Sequence, residues 1–132
     1  MRANAANRLL LSVTGILEAG TGLALLVAPS VLVELLLGAV PTGVGIAVSR
    51  VAGVAVLALG AACWLMRDEA NGAAKRLVAA MLLYNVGVVV ILVFALANSG
   101  PSGIFFWPVV LGHAALTAWC VTCLLTRSPR AN

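Results

Sequence analysis

The stretch Leu77–Ala97, LVAAMLLYNVGVVVILVFALA, contains no charged residue and decides the fold class of this chain. A helix needs about 20 consecutive apolar residues to cross the hydrocarbon core of a bilayer, and this stretch meets that requirement. A soluble chain of only 132 residues keeps too much of itself at the surface to hide many such stretches. The stretch therefore predicts a transmembrane helix.

Three further stretches have the same character. They run from about Leu9 to Ala28, from Gly43 to Met66 and from Ile104 to Thr126. Hydrophobic residues make up 63% of the chain and charged residues only 9%, whereas soluble domains carry about 25% charged residues. We therefore expect one transmembrane domain, residues 1–132, with an all-α fold: an integral membrane four-helix bundle.

A shorter apolar segment, Ser30–Leu37, lies between Pro29 and Pro41. It is too short to span a bilayer, and serine is a residue type that caps helix N-termini. We expect a short interfacial or re-entrant helix between the first and second spans, capped by Ser30. An apolar extracytoplasmic loop packed on the bundle stays open as the alternative.

The basic residues fall on one side of a four-span topology. Seven of the eight Lys and Arg residues lie there: Arg2, Arg8, Arg67, Lys75, Arg76, Arg127 and Arg130. Because loops rich in Lys and Arg stay in the cytoplasm, we expect both termini to be cytoplasmic. Topology then accounts for the formal net charge of +4, and we expect the lipid bilayer, and no nucleic acid, as a partner.

Each predicted span carries one strongly polar residue, namely Glu18, Arg50, Asn85 and His113. At a rise of about 1.5 Å per residue, three of them share a layer near the middle of the membrane, and Arg50 lies nearer the outer end. A charge at the bilayer centre costs at least about 2.5–3.5 kcal/mol, so such groups normally face the bundle interior and pair. We expect a buried polar site of all four side chains, with an ion pair between Glu18 and Arg50.

Two interpretations of this polar site stay open. It binds a small polar group, a quinone head or a proton, or it is a structural clasp that fixes the register of the helices. Arg50 also has a second candidate partner, Glu34 at the outer surface, because side chains lean toward the N-terminus of their helix. The residues specify neither the ligand nor a cofactor.

Cys63, Cys120 and Cys123 are the other residues with potential chemistry. Cys120 and Cys123 have CxxC spacing, and sulfur ligands suit soft metals such as Cu(I). Redox CxxC pairs usually lie at a helix N-terminus, whereas this pair lies near the end of the last span. We expect packed free cysteines and no metal site. The sequence has no nucleophile triad, phosphate loop or zinc-site spacing, so we expect no catalytic residue.

The first half of the chain resembles a known family. The run Gly20–Pro29, GTGLALLVAP, is followed by the segment Arg50–Gly53, RVAG, and then by Gly60. This pattern resembles the DoxX-like group of small four-helix bacterial membrane proteins. The resemblance implies an accessory subunit in the bacterial inner membrane, associated with quinone- or thiol-related redox complexes.

Three functions follow as hypotheses. The first is a non-catalytic inner-membrane protein that binds a small or lipid-like ligand at the polar site, or acts as an accessory subunit of a membrane complex or a homo-oligomer. The second is a proton-coupled transporter or channel that uses Glu18 and His113. The third is a thiol or quinone redox protein, or a soft-metal protein, that uses Cys63, Cys120 and Cys123.

Overall fold

A computed structural model describes residues 5–69, 72–99 and 103–126 of the chain. All regular structure in these ranges is helical: α1 (Ala5–Val27), α2 (Pro29–Leu37), α3 (Gly43–Met66), α4 (Ala73–Ser99) and α5 (Phe106–Leu125). All except α2 are long and apolar enough to cross a membrane, judged by length and composition. The expected all-α fold with four long apolar helices is confirmed, and its arrangement as a membrane bundle stays a prediction.

The starts of α4 and α5 differ from the boundaries expected from the apolar stretches. Charged residues lie at the first of these starts and a proline lies near the second. α4 begins at Ala73, about one turn before the expected span, so that Lys75 and Arg76 lie within the helix. Alanine, lysine and arginine are all strong helix formers, which explains the extension. α5 begins later than expected, at Phe106, and Pro108 lies in its first turn, where a missing N–H costs no intrahelical bond.

α1 and α3 pack antiparallel, and glycines bring their backbones together. Gly15 lies against Gly60, and Gly22 lies against Gly53. A Cβ atom added to Gly22 would stand 2.5 Å from the amide nitrogen of Leu57 and 2.7 Å from the carbonyl oxygen of Gly53. Small residues allow helix backbones to approach closely in this way. Because the two glycines of α1 have the same spacing as the two of α3, the pairs fix the register of the helices at two points.

One buried cluster joins α1 and α3 to α4 and α5, and a second joins α4, α5 and α2. The larger cluster lies at the end where α1 begins, and its buried members are Leu10, Leu11, Cys63, Ala74, Val78, Met81, Leu116, Cys120 and Cys123. The smaller lies toward the opposite end and consists of Leu92, Phe106 and Val110, with Leu36 of α2 packed against it. The polar middle of the helices lies between the two clusters.

Four of the described basic residues lie at the end of the structure where α1 begins, namely Arg8, Arg67, Lys75 and Arg76. The Nε atom of Arg8 lies 2.7 Å from Oδ1 of Asp68, which follows α3, and Nε of Arg67 lies 3.4 Å from Oδ2 of the same carboxylate. Lys75 and Arg76 start α4 just after this connection. The remaining basic residues of the topology argument, Arg2, Arg127 and Arg130, lie outside the described residues. An exposed ion pair contributes little free energy, but it shows that α1 begins where α3 ends.

α2 is present as expected, although its N-terminal cap is not. The predicted cap at Ser30 is wrong: the helix begins at Pro29, and Ala28 precedes it without a capping side-chain bond. Proline suits the first helical position because its missing N–H has no intrahelical acceptor there. At the other end Gly38, with φ of 75°, terminates the helix, and its N–H donates to the carbonyl of Glu34. The interfacial location of α2 stays a prediction.

Main-chain hydrogen bonds attach α2 to the segment that enters α5. The N–H of Phe105 donates to the carbonyl of Leu35 at 2.9 Å, and the N–H of Gly103 donates to that of Leu36 at 3.2 Å. These bonds satisfy two of the carbonyls that a helix C-terminus leaves without partners. A side chain at Gly103 would collide with the Leu35 carbonyl, so the contact requires glycine.

We expect Gly22→Ala to lower the free energy of unfolding by about 1–3 kcal/mol, the usual cost of overpacking, because the added methyl group meets backbone atoms that cannot move aside. The measurement is chemical denaturation in detergent, followed by helical circular dichroism. Gly20→Ala is the matched control on the same helix, since a Cβ at Gly20 has nothing within 4 Å. Equal stability of the two variants would show that the glycine contact does not hold α1 to α3.

Candidate functional site

A cavity of about 340 Å³ lies in the polar middle of the structure, and all five helices contribute to its wall. It is lined by Leu17, Glu18, Thr21, Leu25, Leu32, Leu36, Val56, Tyr84, Val88, Leu92, Phe105, Val109, Gly112, His113 and Leu116. The volume falls within the range of small-molecule sites, about 300–1,000 Å³. Mostly apolar walls with a few polar groups are also typical of such sites.

The polar lining is confined to about one helical turn, whereas the apolar lining is present at that level and also extends further along the helices. Glu18, Tyr84 and His113 stand at the middle of their helices, whereas Leu25 and Leu92 stand further along α1 and α4, toward α2. At about 1.5 Å per residue, the apolar lining extends roughly 10–12 Å beyond the polar level. The cavity is therefore amphipathic, with a polar inner end and an apolar arm that reaches the leucines of α2.

Glu18 is the acidic group of the cavity, and a neutral donor binds it. Its side chain is only 3% exposed, and it belongs to the buried stripe of α1 that includes Gly15 and Gly22. The hydroxyl of Tyr84 donates a hydrogen bond to Oε2 of Glu18 at 2.9 Å. Within residues 5–69, 72–99 and 103–126, Oε1 accepts no hydrogen bond and no cationic side chain makes an ion pair with this carboxylate.

His113 is held in place by an amide behind it. The side-chain nitrogen of the fully buried Asn85 donates to the carbonyl of Met81 at 2.7 Å, which directs its oxygen toward His113. That oxygen lies 2.7 Å from Nδ1 of the imidazole ring. Because an amide oxygen only accepts, Nδ1 carries the proton, and in the neutral ring Nε2 presents a lone pair. Among the described residues, Nε2 has no hydrogen-bond partner.

Tyr84 and His113 contact each other through their rings at the polar end of the cavity. The ring of Tyr84 meets the ring of His113 edge to face, with centroids 5.7 Å apart and planes at 74°. Such an edge-to-face pair is a favourable arrangement for aromatic side chains. Tyr84 therefore connects Glu18 of α1 with His113 of α5.

The predicted site residues take different positions. Glu18 and His113 line the cavity, and Asn85 lies behind His113 and orients it. Arg50 is exposed and does not line the cavity. In the part of the chain that the structure describes, Arg50 forms neither the expected ion pair with Glu18 nor the alternative one with Glu34.

The register of α1 and α3 explains why Arg50 and Glu18 do not meet. With Gly22 against Gly53 and Leu57, Glu18 is level with the turn that begins near Leu57. Arg50 then stands about two helical turns away along α3, roughly 10 Å. The glycine contacts, and not the attraction of opposite charges, decide this separation.

Tyr84 was not anticipated as a site residue. The sequence does indicate a role for it, because Tyr84 is the single tyrosine of the chain and precedes Asn85 in the middle of an uncharged stretch. A buried tyrosine hydroxyl usually has a hydrogen-bond partner, so a tyrosine at that depth implies an acceptor on another helix.

The three cysteines pack in the larger buried cluster and do not line the cavity. Cys63, Cys120 and Cys123 are free thiols among apolar side chains. Within the described ranges, no three His, Cys, Asp or Glu side chains are grouped in a way that would hold a metal ion. Free cysteine in such surroundings behaves as a small hydrophobic residue.

No protein-family model, curated protein or solved structure matches the chain. The resemblance to the DoxX-like group therefore stays a prediction, and the site itself is the basis for a functional argument.

We expect the imidazole of His113 to be protonated at Nδ1 and not at Nε2, because the Asn85 oxygen accepts from Nδ1. Nitrogen-15 NMR of histidine-labelled protein gives one ring system, since His113 is the single histidine. Asn85→Leu should remove this preference and yield a mixture of tautomers. Asn98→Leu is the control, because exposed Asn98 also bonds a carbonyl four residues before it in α4. A proton on Nε2 in the unmodified protein would contradict the assignment.

Proposed function

We propose that this chain is a four-helix protein of the bacterial inner membrane that binds a small amphipathic or lipid-like molecule in its central cavity and catalyses no reaction. Both termini lie in the cytoplasm, and α2 lies at the outer interface. The basic residues around Asp68 support this orientation, because they gather at the end where α1 begins.

One observation carries the proposal, namely that the polar lining is confined to one level of a cavity whose apolar lining extends further. A molecule with a polar head and an apolar body matches it when the head lies beside Glu18, Tyr84 and His113. The apolar body then occupies the arm toward α2. A site that binds one end of a ligand by hydrogen bonds and the rest by apolar contact is the common form of a ligand pocket.

A purely structural clasp accounts less well for these side chains. In a clasp, the polar groups of neighbouring helices satisfy one another, as Asn85 does with Met81 and His113. Glu18 and His113 each retain one polar atom, Oε1 and Nε2, that has no hydrogen-bond partner among the described residues. Because both residues line the cavity, a ligand there can supply the missing hydrogen bonds.

Arg50 supports an accessory role in a larger complex. A charged residue in a transmembrane helix nearly always pairs or faces a polar interior, but Arg50 is exposed and unpaired within the described residues. A partner subunit with an acidic side chain at that depth would supply the missing contact. The resemblance of the Gly20–Pro29 and Arg50–Gly53 segments to the DoxX-like group is in keeping with such a role.

We expect Gly112→Leu to abolish ligand binding without loss of folding. Gly112 lines the cavity, and a Cβ there meets nothing within 4 Å, so a leucine side chain enters open space. The probes are octylammonium, octanol and octanoate, added to the protein in a neutral detergent. Binding is read from the NMR signals of His113 and Tyr84, the single histidine and tyrosine.

Gly87→Leu is the control for this experiment, because Gly87 is also surrounded by open space but does not line the cavity. It should bind the probes as the unmodified protein does. If none of the three probes shifts the signals saturably in the unmodified protein, the proposed function is rejected.

Proton movement is the second candidate function, and the contacts of Tyr84 favour it. Its hydroxyl bonds Glu18 and its ring touches His113, so two proton-exchanging groups share one cavity. If the chain moves protons, Glu18→Gln should abolish pH-driven flux in liposomes, while Glu34→Gln, which alters an exposed carboxylate of α2, should not. Absence of flux with the unmodified protein would reject this candidate.

A further inference from the structure

We infer that the molecule bound in the cavity is an organic monocation, an ammonium group carried on an apolar chain of about eight carbons. The inference rests on the proposed binding function and names the chemical class of its ligand.

Glu18 lacks a countercharge among the described residues. This carboxylate is 3% exposed and accepts one hydrogen bond, from the neutral hydroxyl of Tyr84. A carboxyl group at this depth either takes up a proton or pairs with a cation, and no cationic group of the described residues pairs with this one. A cation in the cavity supplies the positive charge that Arg50, about two turns away along α3, does not.

The cavity offers more hydrogen-bond acceptors than donors. Glu18 offers Oε1 and neutral His113 offers Nε2, and both atoms accept. Tyr84 already uses its proton on Glu18, which leaves Thr21 as the side chain of the lining with a hydroxyl proton to donate. An ammonium group carries up to three donors and no acceptor, so it complements this set. A carboxylate ligand would face the charge of Glu18 with few donors to offset it.

Two aromatic rings line the polar end of the cavity. The rings of Tyr84 and His113 meet at the polar end, 5.7 Å apart between centroids, beside the Glu18 carboxylate. Cations are attracted to the faces of aromatic rings, and tyrosine is among the effective partners. A carboxylate beside aromatic rings is thus suited to an ammonium head group.

The length of the apolar arm suits a chain of about eight carbons. The apolar arm extends roughly 10–12 Å from the polar level to the leucines of α2, at about 1.5 Å per helical residue. An extended octyl chain matches this distance. The chain therefore lies along the arm while its ammonium group lies beside Glu18.

The test compares octylammonium, octanol and octanoate, which share one chain and differ in the head group. Affinities are measured for the unmodified protein in a neutral detergent, from the His113 and Tyr84 signals. We expect octylammonium to bind at least tenfold more tightly than octanol, and octanoate to bind most weakly. This comparison needs no variant, so it decides the inference even if substitutions at Glu18 prevent folding.

Glu18→Gln removes the charge and keeps an acceptor for the Tyr84 hydroxyl, so it should reduce the preference for octylammonium to less than twofold. Glu34→Gln, which removes the charge of an exposed carboxylate of α2 outside the cavity lining, should keep the preference. If octanol or octanoate binds as tightly as octylammonium, or if Glu18→Gln retains the tenfold preference, the inference is overturned and the proposed binding function stands. If no probe binds, both are rejected.

Discussion

The contact between the backbones of α1 and α3 is the constraint on which the rest of the structure depends. Two glycine pairs, Gly15 with Gly60 and Gly22 with Gly53, leave no room for a side chain between the helices. Such a contact permits one register only, since a shift by one residue would place larger side chains between the backbones. This register separates Glu18 from Arg50 along the helix axis, and Glu18 then bonds Tyr84 of α4.

The polar end of the cavity is fixed by hydrogen bonds and a ring contact within the protein. The Met81 carbonyl orients Asn85, Asn85 orients His113, and Tyr84 spans the distance from His113 to Glu18. Each of these contacts is made between groups of the protein itself. A site whose polar groups are already oriented binds with less loss of conformational entropy than one that must be ordered on binding.

The sequence was sufficient to predict the four apolar helices and the short α2, because length and composition determine which segments suit a bilayer. It also indicated Glu18 and Asn85 as buried, because a polar residue in an apolar helix turns inward. It was not sufficient to predict that Arg50 is exposed or that Tyr84 binds Glu18. Those facts depend on how each helix is rotated and shifted against its neighbours, and no pattern within a single helix records that relation.

The attachment of α2 determines which parts of the cavity wall are able to vary. The helix is attached to the start of α5 by main-chain atoms of Leu35 and Leu36, whose carbonyls accept from Phe105 and Gly103. Main-chain bonds of this kind survive most side-chain replacements. The side chains that α2 contributes to the cavity wall, Leu32 and Leu36, are therefore free to change in size while the helix stays in place, so the apolar end of the cavity is adjustable in shape without any change to the scaffold.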